Sequence, residues 1–228
     1  MVPLAADHLG ERSIMLVAMP EAALAEVSQM QGTVSKEALR STYYDPATNT
    51  WSFASDMPAG RTLHTQVSHG GIHQVVSGYG GSSPSYDGKM LRYDPSGDSW
   101  SEMAPVANGG LNAGAYFQAA AHGDYIYAMS PVDGSSPFAR YDLTSNTWTA
   151  LASMVTVAGG RATGGVLGAS IGAYIYFPAC DRLYNPSSET STPYNEMYGY
   201  DTVNDAWTSL TASNEQRILG MSATLLSE

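Results

Sequence analysis

The sequence predicts an all-β repeat protein, and three observations carry this prediction. A phrase that opens with Tyr-Asp and closes with Trp occurs four times, as YDPATNTW, YDPSGDSW, YDLTSNTW and YDTVNDAW. These phrases contain all four tryptophans of the chain. Their tyrosines recur with a period of about fifty residues, which is typical of folds in which each repeat is one supersecondary unit.

Each phrase is predicted to form a β-hairpin. Pro, Thr, Ser, Asn, Asp and Gly stand between the two aromatic residues, and these residues turn the chain or bond to their own backbone. Tyrosine and tryptophan favour strands and bury about 150–250 Å² each, so they are expected to fasten one repeat to the next. The aspartates are expected to bond amides of their own turns rather than to form a Ca²⁺ ring. The signature residues are Tyr44, Asp45, Trp51, Tyr93, Asp94, Trp100, Tyr141, Asp142, Trp148, Tyr200, Asp201 and Trp207.

Two further strands precede each hairpin. A β-branched and aromatic run follows a glycine turn, and a strand of small residues precedes that turn, as in 63–67 and 115–119. The aromatic runs are 13–17, 72–76, 125–127 and 174–176. We label the four strands of a period a to d in chain order. Four short antiparallel strands with the small-residue strand innermost describe a blade of a β-propeller.

The residues resemble a kelch repeat. Arg61-x-x-His64, the segment 75–81 with its double glycine, 93–95 and Trp100 follow the order of that motif. The resemblance covers nearly the whole chain, although the other three units lack the double glycine. It implies a propeller of the galactose oxidase-like central domain superfamily, and a module that binds proteins or peptides.

The repeats predict a single domain, 1–228, of about four kelch-type four-stranded blades. Segments 2–8 and 217–227 can each form a first strand a, so three arrangements stay open. The units close a ring by themselves, belong to a larger propeller or parent chain, or assemble between chains. Segment 20–38 reads as a helical insertion and 180–196 as a long b–c connection. The predicted blades are 1–58 with 217–228, 59–105, 106–154 and 155–213.

Composition excludes several classes of function. The formal net charge of −11 describes an acidic protein and argues against nucleic-acid binding, which relies on Lys and Arg to neutralise phosphates. No stretch approaches the roughly 20 apolar residues of a membrane span. No signal peptide is expected, because the N-terminus lacks a basic region followed by an apolar core. No oxidising compartment is implied, because the single Cys180 cannot form an internal disulfide. The location stays open, with the cytoplasm favoured.

A candidate ligand site lies at the mouth of the central channel. Arg61, Arg161 and Arg217 occupy the same repeat position, the start of strand a, and the third unit has Asn112 near that place. Strands a of a propeller converge on one axis, so these guanidinium groups would suit a carboxylate or phosphate. His64, in the middle of strand a, is expected to line the channel beside them. Alternatively, each arginine pairs with an acidic residue of the neighbouring blade.

No catalytic residue, metal or cofactor is expected. His8, His69 and His122 end strands a before turn glycines, and repeat-equivalent positions spread around a disc instead of meeting at one ion. The copper chemistry of galactose oxidase is not expected, because Cys180 follows a strand b with no Tyr-His pair beside it. No Gly-x-Ser-x-Gly, His-Glu-x-x-His or phosphate-binding loop is present.

Two functions therefore remain. The first is a kelch-type interaction module that binds a protein or peptide, which could be acidic, through loops on one face. The second is the binding or conversion of an acidic small molecule or sugar at the arginine-lined mouth. The fold alone does not decide between them.

Overall fold

The computed structural model describes residues 41–45, 48–62, 64–80, 85–86, 88–114, 117–130, 136–154, 168–178, 182–185, 190–193 and 197–210. In this part of the chain every regular element is a β-strand, except for one turn of 3-10 helix at Val106–Gly109. The protein is therefore all-β, with antiparallel sheets that follow one another along the chain. The helical insertion predicted for 20–38 lies outside the described residues.

Three four-stranded sheets repeat the same order, a-b-c-d, and we call them the second, third and fourth blades. The second blade consists of β4 (Thr65–His69), β5 (Ile72–Val76), β8 (Met90–Asp94) and β9 (Ser99–Met103). The third consists of β10 (Gln118–His122), β11 (Tyr125–Met129), β12 (Ser136–Asp142) and β13 (Thr147–Met154). The fourth consists of β14 (Ala169–Ile171), β15 (Tyr174–Pro178), β18 (Met197–Asp201) and β19 (Ala206–Leu210).

Three smaller sheets accompany the blades. The first sheet is the hairpin of β1 (Ser41–Asp45) and β2 (Thr50–Ala54), which are strands c and d of the first repeat. The others are formed by β3 (Arg61–Thr62), β6 (Tyr79–Gly80) and β7 (Ser85–Tyr86), and by β16 (Arg182–Asn185) and β17 (Thr190–Pro193). Strands a and b of the first repeat, predicted within 2–17, lie outside the described residues.

The four predicted hairpins are confirmed. In each, the Tyr that opens the phrase stands opposite the Trp that closes it in the antiparallel register. The pairs are Tyr44–Trp51, Tyr93–Trp100, Tyr141–Trp148 and Tyr200–Trp207.

The predicted bounds of strand a were wrong. We expected strands at 63–67 and 115–119, but β4 and β10 begin at Thr65 and Gln118. In the second blade the reason is the conformation of Ser77 and Gly78, whose φ values of 53° and 118° turn the chain out of the sheet after β5. The last a–b pair is therefore Thr65–Val76, and β3 pairs instead with β6 in a separate sheet.

The core lies between the blades. One apolar cluster joins the second and third blades, with Val76 and Met90 on one side and Ile126 and Tyr141 on the other. A second cluster joins the third and fourth blades through the aromatic rings of Tyr127, Phe138, Phe177 and Tyr200. Among the described residues, the apolar faces of the blades therefore pack against neighbouring blades, as expected of a repeat protein.

A polar clamp accompanies the apolar contact between the second and third blades. Trp148 Nε1 donates to the carbonyl oxygen of Ala104 at 2.9 Å, and the Ala104 amide donates to Asn146 Oδ1 at 2.8 Å. The Tyr141 hydroxyl also donates to Asn146 Oδ1, at 2.7 Å. Both backbone groups of Ala104, four residues after Trp100, are thus held by the third blade. The expectation that these aromatic residues fasten successive repeats is confirmed here.

The same clamp occurs at the two other interfaces between successive described repeats, with hydrogen bonds of 2.7–2.9 Å. It joins Trp100, Tyr93 and Asp98 to Ser55, and Trp207, Tyr200 and Asp205 to Ala152. In all three clamps, the side chain that accepts the hydrogen bond from the backbone amide belongs to an Asn or Asp with a positive φ, between 44° and 56°. Apart from glycine, Asn and Asp are the residues that adopt this left-handed conformation most readily.

Candidate functional site

Arg61 lies beside the b–c connection of the second blade and is almost fully buried, with 4% of its surface exposed. Its Nη1 donates to the carbonyl oxygens of Lys89 at 3.1 Å and Ser77 at 3.3 Å. It does not open β4, as the sequence predicted, but belongs to β3, four residues earlier. The guanidinium therefore ties β3 to both ends of the b–c connection of its own blade.

His64 immediately precedes β4 instead of lying in the middle of strand a, which corrects the second predicted position. Its Nε2 is 3.0 Å from Gln66 Nε2, whereas its Nδ1 is buried with no hydrogen-bond partner. Burial, and next the positive charge of Arg61, lower the pKa of His64 from 6.5 to about 4. The imidazole is therefore neutral at pH 7 and adds no charge for an anionic ligand.

Of the other predicted members of the mouth, only Asn112 is among the described residues. Asn112 is exposed, and its backbone carbonyl accepts a hydrogen bond from Ser130 Oγ at 3.1 Å. Arg161 and Arg217 fall in segments that the structure does not describe. The convergence of three arginines on one axis thus stays a prediction.

The aspartates of the repeated phrase have the structural role expected from the sequence. Asp142 Oδ1 accepts the amides of Thr144 at 2.8 Å and Ser145 at 3.0 Å. Asp94 and Asp201 accept amides of their own turns in the same way. These bonds stabilise the carboxylates and lower their pKa values below the usual 3.8. The side chain of Asp45 is outside the described residues.

Histidines occupy the predicted turn positions. His69 ends β4 and His122 ends β10, each directly before a glycine with positive φ. Among the residues that the structure describes, no three His, Cys, Asp or Glu side chains form a group that could hold a metal ion. His8 and Cys180 are outside that set. The described ranges also contain no helix with the length and apolar character of a membrane span.

The two edges of the blades differ in their connections. At one edge the a–b turns have two residues, such as Gly70–Gly71 and Gly123–Asp124. At the opposite edge the b–c connections of the second and fourth blades form the additional strands β6, β7, β16 and β17. Since the same clamp joins successive blades, both connections leave the same face. The long connection predicted at 180–196 is thus partly ordered as a hairpin.

The amide-receiving residues of the clamps were missed by the sequence reasoning. They stand five residues after each repeated tyrosine and are Asn or Asp every time: Asn49, Asp98, Asn146 and Asp205. This recurrence was the signal that could have found them. The sequence pattern predicts only turn formation for the Asn and Asp residues of the phrase, whereas three of these four residues also bind the backbone of the preceding repeat.

No protein-family model and no curated protein matches the sequence. Among solved structures, the chain is similar to the one described as "Structure of YjhT", with a TM-score of 0.63 at 15% identity. The similarity covers 80% of this chain and 64% of that chain, so the present chain spans somewhat less than two thirds of its length. At this identity the likeness concerns the fold alone, and with the successive four-stranded sheets it shows a propeller-like, all-β arrangement.

Proposed function

We propose that the chain is an interaction module of kelch type that binds a protein or peptide on the face formed by its b–c connections. One observation carries the proposal: the second and fourth blades elaborate these connections into extra strands, whereas the a–b and c–d turns of the opposite face have only two and four residues. Binding residues concentrate on loops that a rigid scaffold positions. The clamps between repeats supply that scaffold.

The aspartates and the mouth residues support the same choice. Asp94, Asp142 and Asp201 are engaged in their own turns, and Arg61 donates to two carbonyl oxygens of its own blade. These residues therefore stabilise the blades. We expect the b–c connections, instead, to contact the bound protein or peptide.

Selection of displayed peptides against the full chain tests the proposal. A variant in which a short Gly-Ser turn replaces 182–193 is expected to lose at least tenfold in affinity for the selected peptides, because part of the binding face is gone. Its unfolding midpoint should stay near that of the parent, since β16 and β17 pair only with each other in the described sheets. Val203→Ser, at the opposite edge, is the matched control. Equal binding by the shortened and parent chains would contradict the proposal.

The second candidate, an acidic small molecule or sugar at the mouth, has one supporting observation. The buried Nδ1 of His64 makes no hydrogen bond of standard geometry, and the imidazole lies near both the charge and the backbone of Arg61. A carboxylate or hydroxyl could satisfy this nitrogen. Thermal unfolding with acidic monosaccharides separates the two functions, since a ligand that binds the native state raises the midpoint. A rise in the parent chain that is lost in His64→Phe would favour the small-molecule site.

A further inference from the structure

The fourth blade has two sheet faces with different surroundings. Tyr200 and Trp207 lie on the face that belongs to the aromatic cluster shared with the third blade. On the opposite face, which we call the distal face, Tyr176 and Leu210 flank Gly199, and each lies 3.6 Å from the position that a Cβ would take there. Cross-strand pairing and the alternation of side chains along a strand assign the other members of this face. Its large side chains are those of Ile171, Tyr174, Tyr176, Met197 and Leu210.

The distal face is largely apolar and exposed. Ile171 is 52% exposed, Tyr174 41% and Met197 37%. Met197 stands three residues before the repeated tyrosine, where the second and third blades have Met90 and Phe138, which are 0% and 1% exposed. None of the buried clusters among the described residues includes the distal face. A repeat at the end of an array needs a polar outer face for solubility, and the fourth blade presents these side chains instead.

The two preceding interfaces show what covers the equivalent face of a blade. The ring centroid of Phe138 lies 4.6 Å from that of Tyr200 and 4.8 Å from that of Trp207, with edge-to-face geometry. Met90 likewise belongs to the cluster that contains the repeated Tyr and Trp of the third blade. In both interfaces the occupant is therefore a β-hairpin in which a Tyr stands opposite a Trp.

We propose that the distal face of the fourth blade docks a β-hairpin with a facing Tyr–Trp pair, supplied by another protein. Met197 would contact both rings, as Phe138 does, and methionine sulfur makes favourable contacts with aromatic rings. Gly199 stands where the second and third blades have Arg92 and Arg140, so the docked hairpin meets no guanidinium here.

An occupant from another protein is favoured because all four Tyr–Trp hairpins of this chain are among the described residues, and Ile171, Tyr174 and Met197 stay exposed beside them. The distal face is also separate from the b–c connections. The proposal therefore does not depend on the function proposed for those connections.

Calorimetric titration of the full chain with a cyclic peptide tests the proposal. The probe is the segment 197–210, closed by a disulfide between cysteines added at its ends, because this hairpin covers the equivalent face of the third blade. Cyclisation is needed since an isolated two-stranded hairpin is only marginally stable. We expect a dissociation constant on the order of 10–100 µM, because one hairpin covers less area than a standard interface. The control peptide, with Tyr200→Ser and Trp207→Ser, should bind at least about tenfold more weakly.

Variants of the full chain locate the bound peptide. Met197→Ala should weaken binding about tenfold, whereas Met197→Phe, which introduces the residue of the third blade, should stay within about threefold of the parent. Val203→Ser, which removes a 77% exposed apolar residue from the c–d turn, is the control and should change nothing.

Three results of the titration would overturn the proposal: no binding at millimolar peptide, equal binding of the two peptides, or equal binding by Met197→Ala and the parent. Sedimentation of the chain without peptide should show a monomer. Larger species that Met197→Ala abolishes would instead assign the distal face to a second copy of this chain.

Discussion

The first sheet and the third blade contain the same phrase in different surroundings. Both pair the repeated Tyr with the repeated Trp, and both place an Asn at positive φ five residues after the Tyr. Yet Trp51 is 51% exposed and Trp148 only 8%. Trp148 packs against the second blade and donates to Ala104, whereas Trp51 precedes every other described tryptophan in the chain. In the third blade the phrase therefore joins two successive repeats, and the contact with the preceding repeat buries its tryptophan.

The largest expected effect tests this contrast directly. Trp148→Ala should reduce the free energy of unfolding by about 3–5 kcal/mol, because it empties a large aromatic site between two blades. Trp51→Ala should cost clearly less than Trp148→Ala, because 51% of the surface of Trp51 is already exposed. Urea unfolding of dilute protein measures both. Equal losses would show that the two tryptophans have equivalent surroundings.

Lowering the pH should reduce the free energy of unfolding of the protein, whereas the difference in exposure between the two tryptophans should stay. The folded-state pKa of His64 is about 4, below its usual 6.5, so the unfolded chain binds more protons as the pH falls from 6.5 towards 4. Stability that is complete above pH 6.5 is therefore lost across this window, by up to about 3 kcal/mol at about 1.4 kcal/mol per pKa unit. Urea unfolding at pH 7 and pH 4.5 should show the loss.

The control is His64→Gln, which should lose clearly less stability over the same range. It will still show the smaller contribution of His73, whose pKa is also lowered by burial. The aspartates of the turns lose their contribution only below about pH 3.8, because their pKa values are lowered. Identical acid sensitivity of parent and His64→Gln would show that the imidazole is not buried as described.

A smaller effect is expected from the receiving residue of the third-blade clamp. Asn146→Gly keeps the positive φ of 56° without strain but removes the oxygen that accepts from Ala104 and Tyr141. The loss should be about 1–2 kcal/mol, that of one or two neutral hydrogen bonds. The matched variant Asn146→Asp keeps an accepting oxygen, as Asp98 and Asp205 do at the equivalent positions, and should cost less. Equal losses for Asn146→Gly and Asn146→Asp would show that these hydrogen bonds do not stabilise the interface.

The smallest effect isolates a single hydrogen bond. Trp148→Phe keeps most of the buried ring and removes the donor to the Ala104 carbonyl, so the cost should be about 1–2 kcal/mol. Chemical denaturation with Trp148→Ala and Trp148→Phe side by side provides the measurement, and a neutral Trp148→Phe would show that packing alone joins these blades.

Much of the fold could be predicted because it is periodic. The Tyr–Trp hairpins, the glycine turns after His69 and His122, and the amide-binding role of Asp94, Asp142 and Asp201 follow from short-range chemistry and were confirmed. The candidate mouth was predicted less well. Arg61 lies four residues before β4 and His64 one residue before it, because β3 pairs with β6 instead of extending β4.

The sequence by itself determined the repeat, the hairpin register and the turn chemistry, because each depends on residues only a few positions apart. Tertiary structure alone decided that an Asn or Asp in each of three repeats binds the backbone of the preceding repeat, 42–53 residues away. It also decided that Trp148 is buried while Trp51 is exposed. The physical reason is that burial and inter-blade hydrogen bonds belong to two surfaces at once, and a local pattern describes only one of them.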